Sequence, residues 1–542
     1  MDADALGAVV ESLLAAAKRN FSPNGENVSD LVLGSSSQAE NASPLDEKAN
    51  LMTLTSTSAT SASRDSRRWL ILAALGVAQL MVVLDVTIVN IALPSAQKAL
   101  GFSNSNRQWI ITAYALSFGS LLLLGGRIGD LVGRKWTFIA GLSGFALASA
   151  VGGMAQSFLM LVAARATQGA FAALLAPAAL SLLTTTFTDG GERGNAFGIY
   201  GAIAGGGGAV GLLLGGVLTQ YLSWRWCLYV NLGFAIPAGI GGLLLLERRP
   251  PGTRPKLDVP GTLTAVGGLL ALVYGLNNAE TSGWGARLTL ACLAAGAALL
   301  SCFVLIQRSS THPLLPLRVV LDRNRGGAFL TTAVIGAGMF GLFLFLTYYL
   351  QNTLGFSPVE TGLAFLPMAG MLMLAATATS TAALPRIGPK PLVTTGLLLA
   401  SGGMLLLTQV GVDSNYASHV LPGLLALGLG LGMAIGAAMA TVTLGVRADD
   451  AGVASANVNT MQQIGGSIGI ALLSTVAASA TSSFAASHAK GGHATALAAV
   501  HGYTTAFWWS AAIFAAGAII CGLLIRPGMP QVNPAAEPVL VH

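Results

Sequence analysis

The sequence predicts an all-α integral membrane protein of fourteen spanning helices, and three observations carry that prediction. Of the 542 residues, 53% are hydrophobic and only 9% charged, with a mean hydropathy of +0.69, whereas a water-soluble chain carries roughly 25% charged residues. Apolar runs of the roughly 20 residues that cross a bilayer recur fourteen times. Lysine and arginine collect between alternate runs, as membrane topology requires. This balance excludes a soluble enzyme, a collagen and a disordered chain. The net charge of +6 does not signal nucleic acid, because no Lys/Arg cluster sits beside aromatic residues. All four cysteines lie in or beside apolar runs without ligand spacing, so no disulfide framework, metal or cofactor is expected.

The first run is Trp69 to Leu93 and the second Gln108 to Gly125. The others are approximately 136–156, 159–185, 195–219, 226–246, 260–276, 286–306, 326–350, 360–383, 391–410, 417–442, 455–480 and 505–525. Nineteen Lys and Arg flank the runs on the side of the chain ends, from Arg64, Arg67 and Arg68 through Arg127, Arg134 and Lys135 to Arg526. Five lie on the other side, Lys98, Arg107, Arg225, Arg287 and Lys490. That asymmetry places both termini in the cytoplasm of a multi-pass cell-membrane protein, and the segment 481–503 outside. Residues 1–66 are polar and rich in Ser, Thr, Ala and Asn, and read as a mostly disordered cytoplasmic tail. A short surface helix over Leu6, Val9, Val10, Leu13 and Leu14 is the alternative at its start, and Met52 begins a shorter reading frame.

A weak internal repeat divides the spans. The loop after span 2, Asp130-Leu131-Val132-Gly133-Arg134-Lys135, is matched after span 10 by Arg386-Ile387-Gly388-Pro389-Lys390, with glycine in the same place. Spans 5 and 13 are both glycine-laden, from Gly205 to Gly216 and at Gly465, Gly466 and Gly469. The expected organisation is a six-helix bundle over 67–250, two linking helices over 251–310, a second six-helix bundle over 311–527 and a cytoplasmic tail over 528–542.

Near the middle of the spans, Asp85 is the one acid and Arg165 the one base. A charge at that depth costs about 2.5–3.5 kcal/mol on insertion scales, so it faces a partner or a cavity. Proton handling and a purely structural ion pair both fit. Gln79, Thr87 and Asn90 project within about 80° of one another at 100° per residue, either a polar substrate wall beside Asp85 or interhelical hydrogen-bonding glue. Gly207, Gly211 and Gly215 repeat every four residues, as do Gly428, Gly432 and Gly436. Such flat faces let backbones approach, for packing alone or as a hinge together with Gly216.

Leu84-Asp85-Val86-Thr87-Ile88-Val89-Asn90-Ile91-Ala92-Leu93-Pro94 resembles the helix 1 signature of the 14-helix drug:proton antiporters of the major facilitator superfamily. Gly126 to Lys135 resembles that superfamily's loop 2–3 motif. Leu161 with Arg165, Gln168 and Gly169 resembles its helix 4 motif, and Gly207 to Gly216 its helix 5 antiporter motif. Trp224-Arg225-Trp226 with Val230-Asn231, Tyr349-Leu350-Gln351 with Gly355 to Pro358, and Ala451 to Gly469 match as well. The resemblance covers about residues 67–526. It departs at Leu131, where a basic residue is usual, and at Leu212, where the helix 5 motif has proline.

The resemblance implies a major facilitator fold that works by alternating access, exchanging an inward proton for an outward-moving lipophilic drug-like or natural-product molecule. Asp85 would carry the proton and Arg165 would favour its charged form. Gly126, Asp130, Gly133, Arg134 and Lys135 would form a cytoplasmic gate, with Asp130 and Arg134 latched in the outward-facing state. With one midplane acid, a neutral, weakly anionic or singly charged substrate is expected. The substrate cavity would draw on Gln79, Asn90, Tyr114, Phe118, Gln168, Phe345, Tyr348, Asn457, Asn459 and Gln462, the aromatic residues among them being equally well placed to face lipid. The expected partners are protons, the lipid bilayer and the small molecule, with no nucleic acid, and the functional unit is a monomer. A sugar or metabolite transporter is the competing reading, favoured by Leu212. A membrane-embedded enzyme is disfavoured because the six histidines lie in loops, at a helix edge or in the tail, without ligand spacing. A sensor is disfavoured because the plain tails carry no signalling domain.

Overall fold

The computed structural model describes residues 44–528 except 105, 188–189, 248–257, 311–312, 316, 444–450 and 488–491. The helix bundles belong to the unit that begins at Arg68. The helices are α1 (Pro44–Leu100), α2 (Gln108–Val132), α3 (Arg134–Gly153), α4 (Phe158–Thr186), α5 (Gly190–Tyr221), α6 (Trp226–Leu245) and α7 (Val259–Ser282). They continue as α8 (Arg287–Ser309), α9 (Arg323–Tyr348), α10 (Pro358–Ala378), α11 (Pro389–Leu407), α12 (Leu421–Thr443), α13 (Ala451–Ser487) and α14 (Gly492–Leu524). Among the described residues fourteen helices are long and apolar enough to cross a membrane, the first of them being Arg67–Leu100.

Local signals set the helix starts. Ser157 opens α4 by accepting from Met160 N, and Asp322 opens α9 by accepting from Arg325 N. Ser357 and Glu360 close a reciprocal capping box at the head of α10, where Pro358 occupies the first turn. Gly133 has φ +99° and Gly388 φ +75°, so both members of the repeated loop turn the chain through a backbone region open to glycine.

Three boundaries differ from the sequence reading. Residues 44–66, read there as part of a mostly disordered tail, are helical in α1, since extending a nucleated helix adds a hydrogen bond for each residue fixed. The expectations for 1–43 and for 529–542 lie outside the described residues. The segment 481–503, read as a loop, is largely taken up by the end of α13 and the start of α14, because its repeated alanines favour helix whatever the membrane depth. Span 2 continues past Gly125 to Val132, so the motif glycine Gly126 and Asp130 lie within α2.

Helices α1–α6 and α9–α14 form two bundles, and the hairpin α7–α8 packs against α2 and α13, one from each. The repeat is visible in the packing. Gly207, Gly211 and Gly215 of α5 seat against Val83, Thr87 and Ile88 of α1, as Gly465, Gly466 and Gly469 of α13 seat against Ala333, Phe340 and Ala337 of α9. The described chain enters and leaves the membrane set at one end, here the near end; residues 101–104, 106–107 and 354–357 lie at the far end. One apolar core crosses both bundles, from Ile88 and Leu93 to Phe345 and Tyr503. A second belongs to the first bundle alone, with Leu75, Phe138 and Leu183, and a third to the second bundle, with Phe329 and Val442.

Candidate functional site

Four helices of the first bundle bring their few polar side chains to one point. Asp85 of α1 is wholly buried, and its Oδ2 accepts from Arg165 Nη1 of α4 at 2.5 Å. Its Oδ1 accepts from Asn231 Nδ2 of α6 at 2.8 Å and from Gln168 Nε2 of α4 at 3.1 Å. Ser149 of α3 receives Gln168 Nε2 at 2.6 Å and Asn231 Nδ2 at 3.2 Å, which ties the amides to each other. Arg165 also donates from Nη1 to Gln168 Oε1 and from Nε to Ile110 O, and its guanidinium lies 4.4 Å from the Tyr114 ring centre. A buried charge pair survives in lipid only when its remaining lone pairs and protons are met in this way.

Of the sequence candidates, Asp85 and Arg165 are thus joined directly. Gln168, assigned from the sequence to the substrate cavity, is bonded into their network, because three residues along α4 bring it beside Arg165. Asn231 was legible only as part of a motif and Ser149 not at all; a lone amide in the apolar span 6 was the available signal. The strip on α1 faces α5. Gln79 accepts from Tyr200 at 2.8 Å, Thr87 meets Gly211 and donates its hydroxyl proton to Leu84 O, and Asn90 donates to Val86 O while its Oδ1 has no partner among the described residues. Tyr114 and Phe118 are buried against each other with ring centres 5.8 Å apart, and the Tyr114 hydroxyl is also unpartnered. On α13, Asn457 is fully buried, Gln462 lies partly buried toward Gly336 of α9 and Asn459 is exposed.

Phe345 and Tyr348 already have a neighbour. Arg107, from the loop before α2, lies 4.2 Å from the Tyr348 ring centre, 5.7 Å from that of Phe345 and 5.9 Å from that of Tyr503. It is 7% exposed, and among the described residues no carboxylate pairs with it. Tyr348 in turn donates to Gln97 of α1, and Gln351 donates to Ile91 O at 3.1 Å. The two bundles are therefore pinned together at the far end. Gly216 and Gly362 allow α5 and α10 to touch there; a Cβ on Gly216 would lie 2.6 Å from Pro358 O.

At the near end the gate residues stay within their own bundle. Lys135 donates to Leu243 O and Leu246 O at the end of α6, where a cation meets unsatisfied helix carbonyls. Arg134 donates to Ser181 O at 3.4 Å, and among the described residues Asp130 is exposed and without an ion pair. Leu212, at the motif's proline position, is buried, and α5 continues through it unbroken.

The model of the Major Facilitator Superfamily matches residues 75–470. The puromycin resistance protein pur8 of Streptomyces alboniger is 48% identical over 481 residues, covering 87% of this chain and 95% of its own. The cephamycin export protein CmcT of Amycolatopsis lactamdurans is 37% identical, covering 75% and 84%. Among solved structures, an autoinhibited POT family peptide transporter superposes with a TM-score of 0.64 at 16% identity, over 86% of this chain and 98% of that one. A bacterial homologue of the human lysosomal transporter Spinster, in an inward-facing and unoccupied conformation, gives 0.59 at 17% identity over 86% and 99%. Such low identity speaks for the fold, while the family match and the long, well-covered relatives speak for descent: this multi-pass membrane protein belongs to the Major Facilitator Superfamily.

Proposed function

We propose that this chain exports lipophilic drug-like or natural-product small molecules from the cytoplasm in exchange for protons. The observation that carries the coupling is the buried Asp85–Arg165 pair, held by Gln168, Asn231 and Ser149. Relatives named for puromycin resistance and for cephamycin export support the substrate class and the direction. The near end is taken as cytoplasmic on its excess of Lys and Arg, so closure around Arg107 makes this an inward-facing state.

In that state Asp85 and Arg165 are paired. Movement of α1 relative to α4 weakens that pairing, and a buried carboxyl without its cation takes up a proton. Neutralisation in turn removes the attraction that kept the helices in register, so proton and conformation are linked. Among the described residues Asp130 and Arg134 form no ion pair, as expected here of a latch belonging to the outward-facing state. An exposed pair is worth about 0–1 kcal/mol, which suits a contact remade every cycle.

The test uses proteoliposomes with an imposed pH gradient and puromycin as the probe. Accumulation against its concentration gradient, abolished by a protonophore and accompanied by counterflow of protons, is the expected result. Puromycin movement that ignores the gradient in reconstituted, correctly inserted protein would refute the coupling. Uptake of sugars or small metabolites in its place would favour the importer reading.

A further inference from the structure

One stripe of α13 carries buried polar atoms that the protein itself does not satisfy. Among the described residues, Asn457 Nδ2 and Oδ1, Thr460 Oγ1 and Gln463 Oε1 have no hydrogen-bond partner, and the three residues are 0%, 4% and 8% exposed. Leaving such an atom unpaired is costly, which a fold tolerates where the group has another use. Direction on the helix narrows that use. At 100° per residue Thr460 and Gln463 point about 60° apart, with Asn457 a further 60° round from Thr460.

The face of α13 that packs within its own bundle lies elsewhere. Val458, Gly465, Gly466 and Gly469 meet α9 and α12, while Ile464, Ile468 and Ala471 meet Leu116 of α2 and Leu269 of α7. Asn457 and Thr460 point the same way as Ile464, Ile468 and Ala471 but nearer the start of the helix, and Gln463 lies beside them with its Cβ against Gly119 of α2, all three turned away from α9. Helix α13 also touches α4 across the same gap. The stripe is therefore aimed between the bundles, where an alternating-access substrate must pass.

We infer that Asn457, Thr460 and Gln463 form a hydrogen-bonding wall of the substrate site, and that the preferred substrates are amphiphiles bearing both donors and acceptors along one edge. From Asn457 to Gln463 the wall runs about 9 Å at 1.5 Å per residue, the length of one edge of a drug-sized molecule. An amide Nδ2 can only donate, the amide Oδ1 and Oε1 can only accept, and the threonine hydroxyl does either. Amide, hydroxyl or heteroaromatic nitrogen groups satisfy that set, and a hydrocarbon-sheathed cation does not. The inference rests on the export reading and adds the chemistry that selects among lipophilic compounds.

The experiment compares binding of two probes to purified protein. Puromycin carries amide, hydroxyl and purine groups, and tetraphenylphosphonium has no hydrogen-bonding group. Thr460→Val, Asn457→Leu and Gln463→Met are each expected to weaken puromycin binding by about five- to tenfold, the effect of one or slightly more than one neutral hydrogen bond, and to leave tetraphenylphosphonium within twofold. Thr460→Val, which keeps the side-chain shape, should also leave the melting temperature unchanged or raise it, since it removes an unpartnered polar atom. A structural role would lower it. Equal losses for both probes, no loss for either, or a lowered melting temperature of Thr460→Val would overturn the inference. Parent protein that binds tetraphenylphosphonium but not puromycin would overturn the wall alone, and parent protein that binds neither would sink the export reading together with it.

Discussion

Asp85 and Arg165 are 0% and 2% exposed and bonded to each other, so removing one charge leaves the other buried without compensation. Asp85→Asn keeps an acceptor for Asn231 but cannot balance the guanidinium, and the expected loss of stability is about 3–5 kcal/mol. Arg165→Gln leaves a carboxylate in the same apolar setting and should cost a similar amount. The double variant is different. With both charges gone, the two introduced amides can hydrogen-bond each other and Gln168, and replacing a buried pair as a unit is often close to neutral. The cycle should therefore give a coupling energy of about 6–10 kcal/mol, more than four decades in the folding equilibrium. Denaturant titration in detergent measures it. Transport separates the two roles open to the pair. Restored stability with no uphill accumulation of puromycin under a pH gradient is expected of the double variant, because asparagine imitates the neutral acid but releases no proton. Recovery of gradient-driven accumulation in that variant would refute the coupling assignment and leave the pair a structural device.

Three further outcomes follow from the packing. Gly216→Ala places a Cβ 2.6 Å from Pro358 O and 2.8 Å from Val359 Cα; backbone cannot yield as a side chain does, so the far-closed state should lose about 1–3 kcal/mol, read as faster labelling of Ile91→Cys by an impermeant maleimide added outside. Arg107→Gln removes the cation from its aromatic surroundings, worth about 0.5–2 kcal/mol, and should raise the same labelling rate; an unchanged rate would deny Arg107 a part in closing the far end. Ser487→Cys, exposed at the end of α13, should react from outside intact cells once the four native cysteines are replaced, and protection despite normal expression would reverse the proposed orientation.

The number and order of the spans were legible in the sequence because hydrophobic length is a local property: about 20 apolar residues cross a bilayer whatever their neighbours do. Asp85 and Arg165 stood out for a related reason, the cost of burying a charge in lipid, which makes such residues few and purposeful. The repeated loop glycines were equally plain, and Gly133 and Gly388 share the backbone conformation that their matching places suggested. What surrounds those residues was decided by tertiary packing. Gln168 and Asn231 reach Asp85 from two helices and Ser149, on a third, joins them to each other, and nothing along the chain ties residue 149 to residue 231. Arg107 counted in the sequence as one charge on the sparsely basic side; only the approach of α9 and α14 from the other bundle sets Phe345, Tyr348 and Tyr503 around it. On α13 the outcome turned on a single residue of rotation. Gln462 and Gln463 are chemically alike, but 100° separates them, and the position of α9 leaves Gln463, with Asn457 and Thr460, aimed between the bundles. Composition fixes how much polarity a helix carries into the membrane, whereas the direction it faces depends on which neighbours the helix packs against.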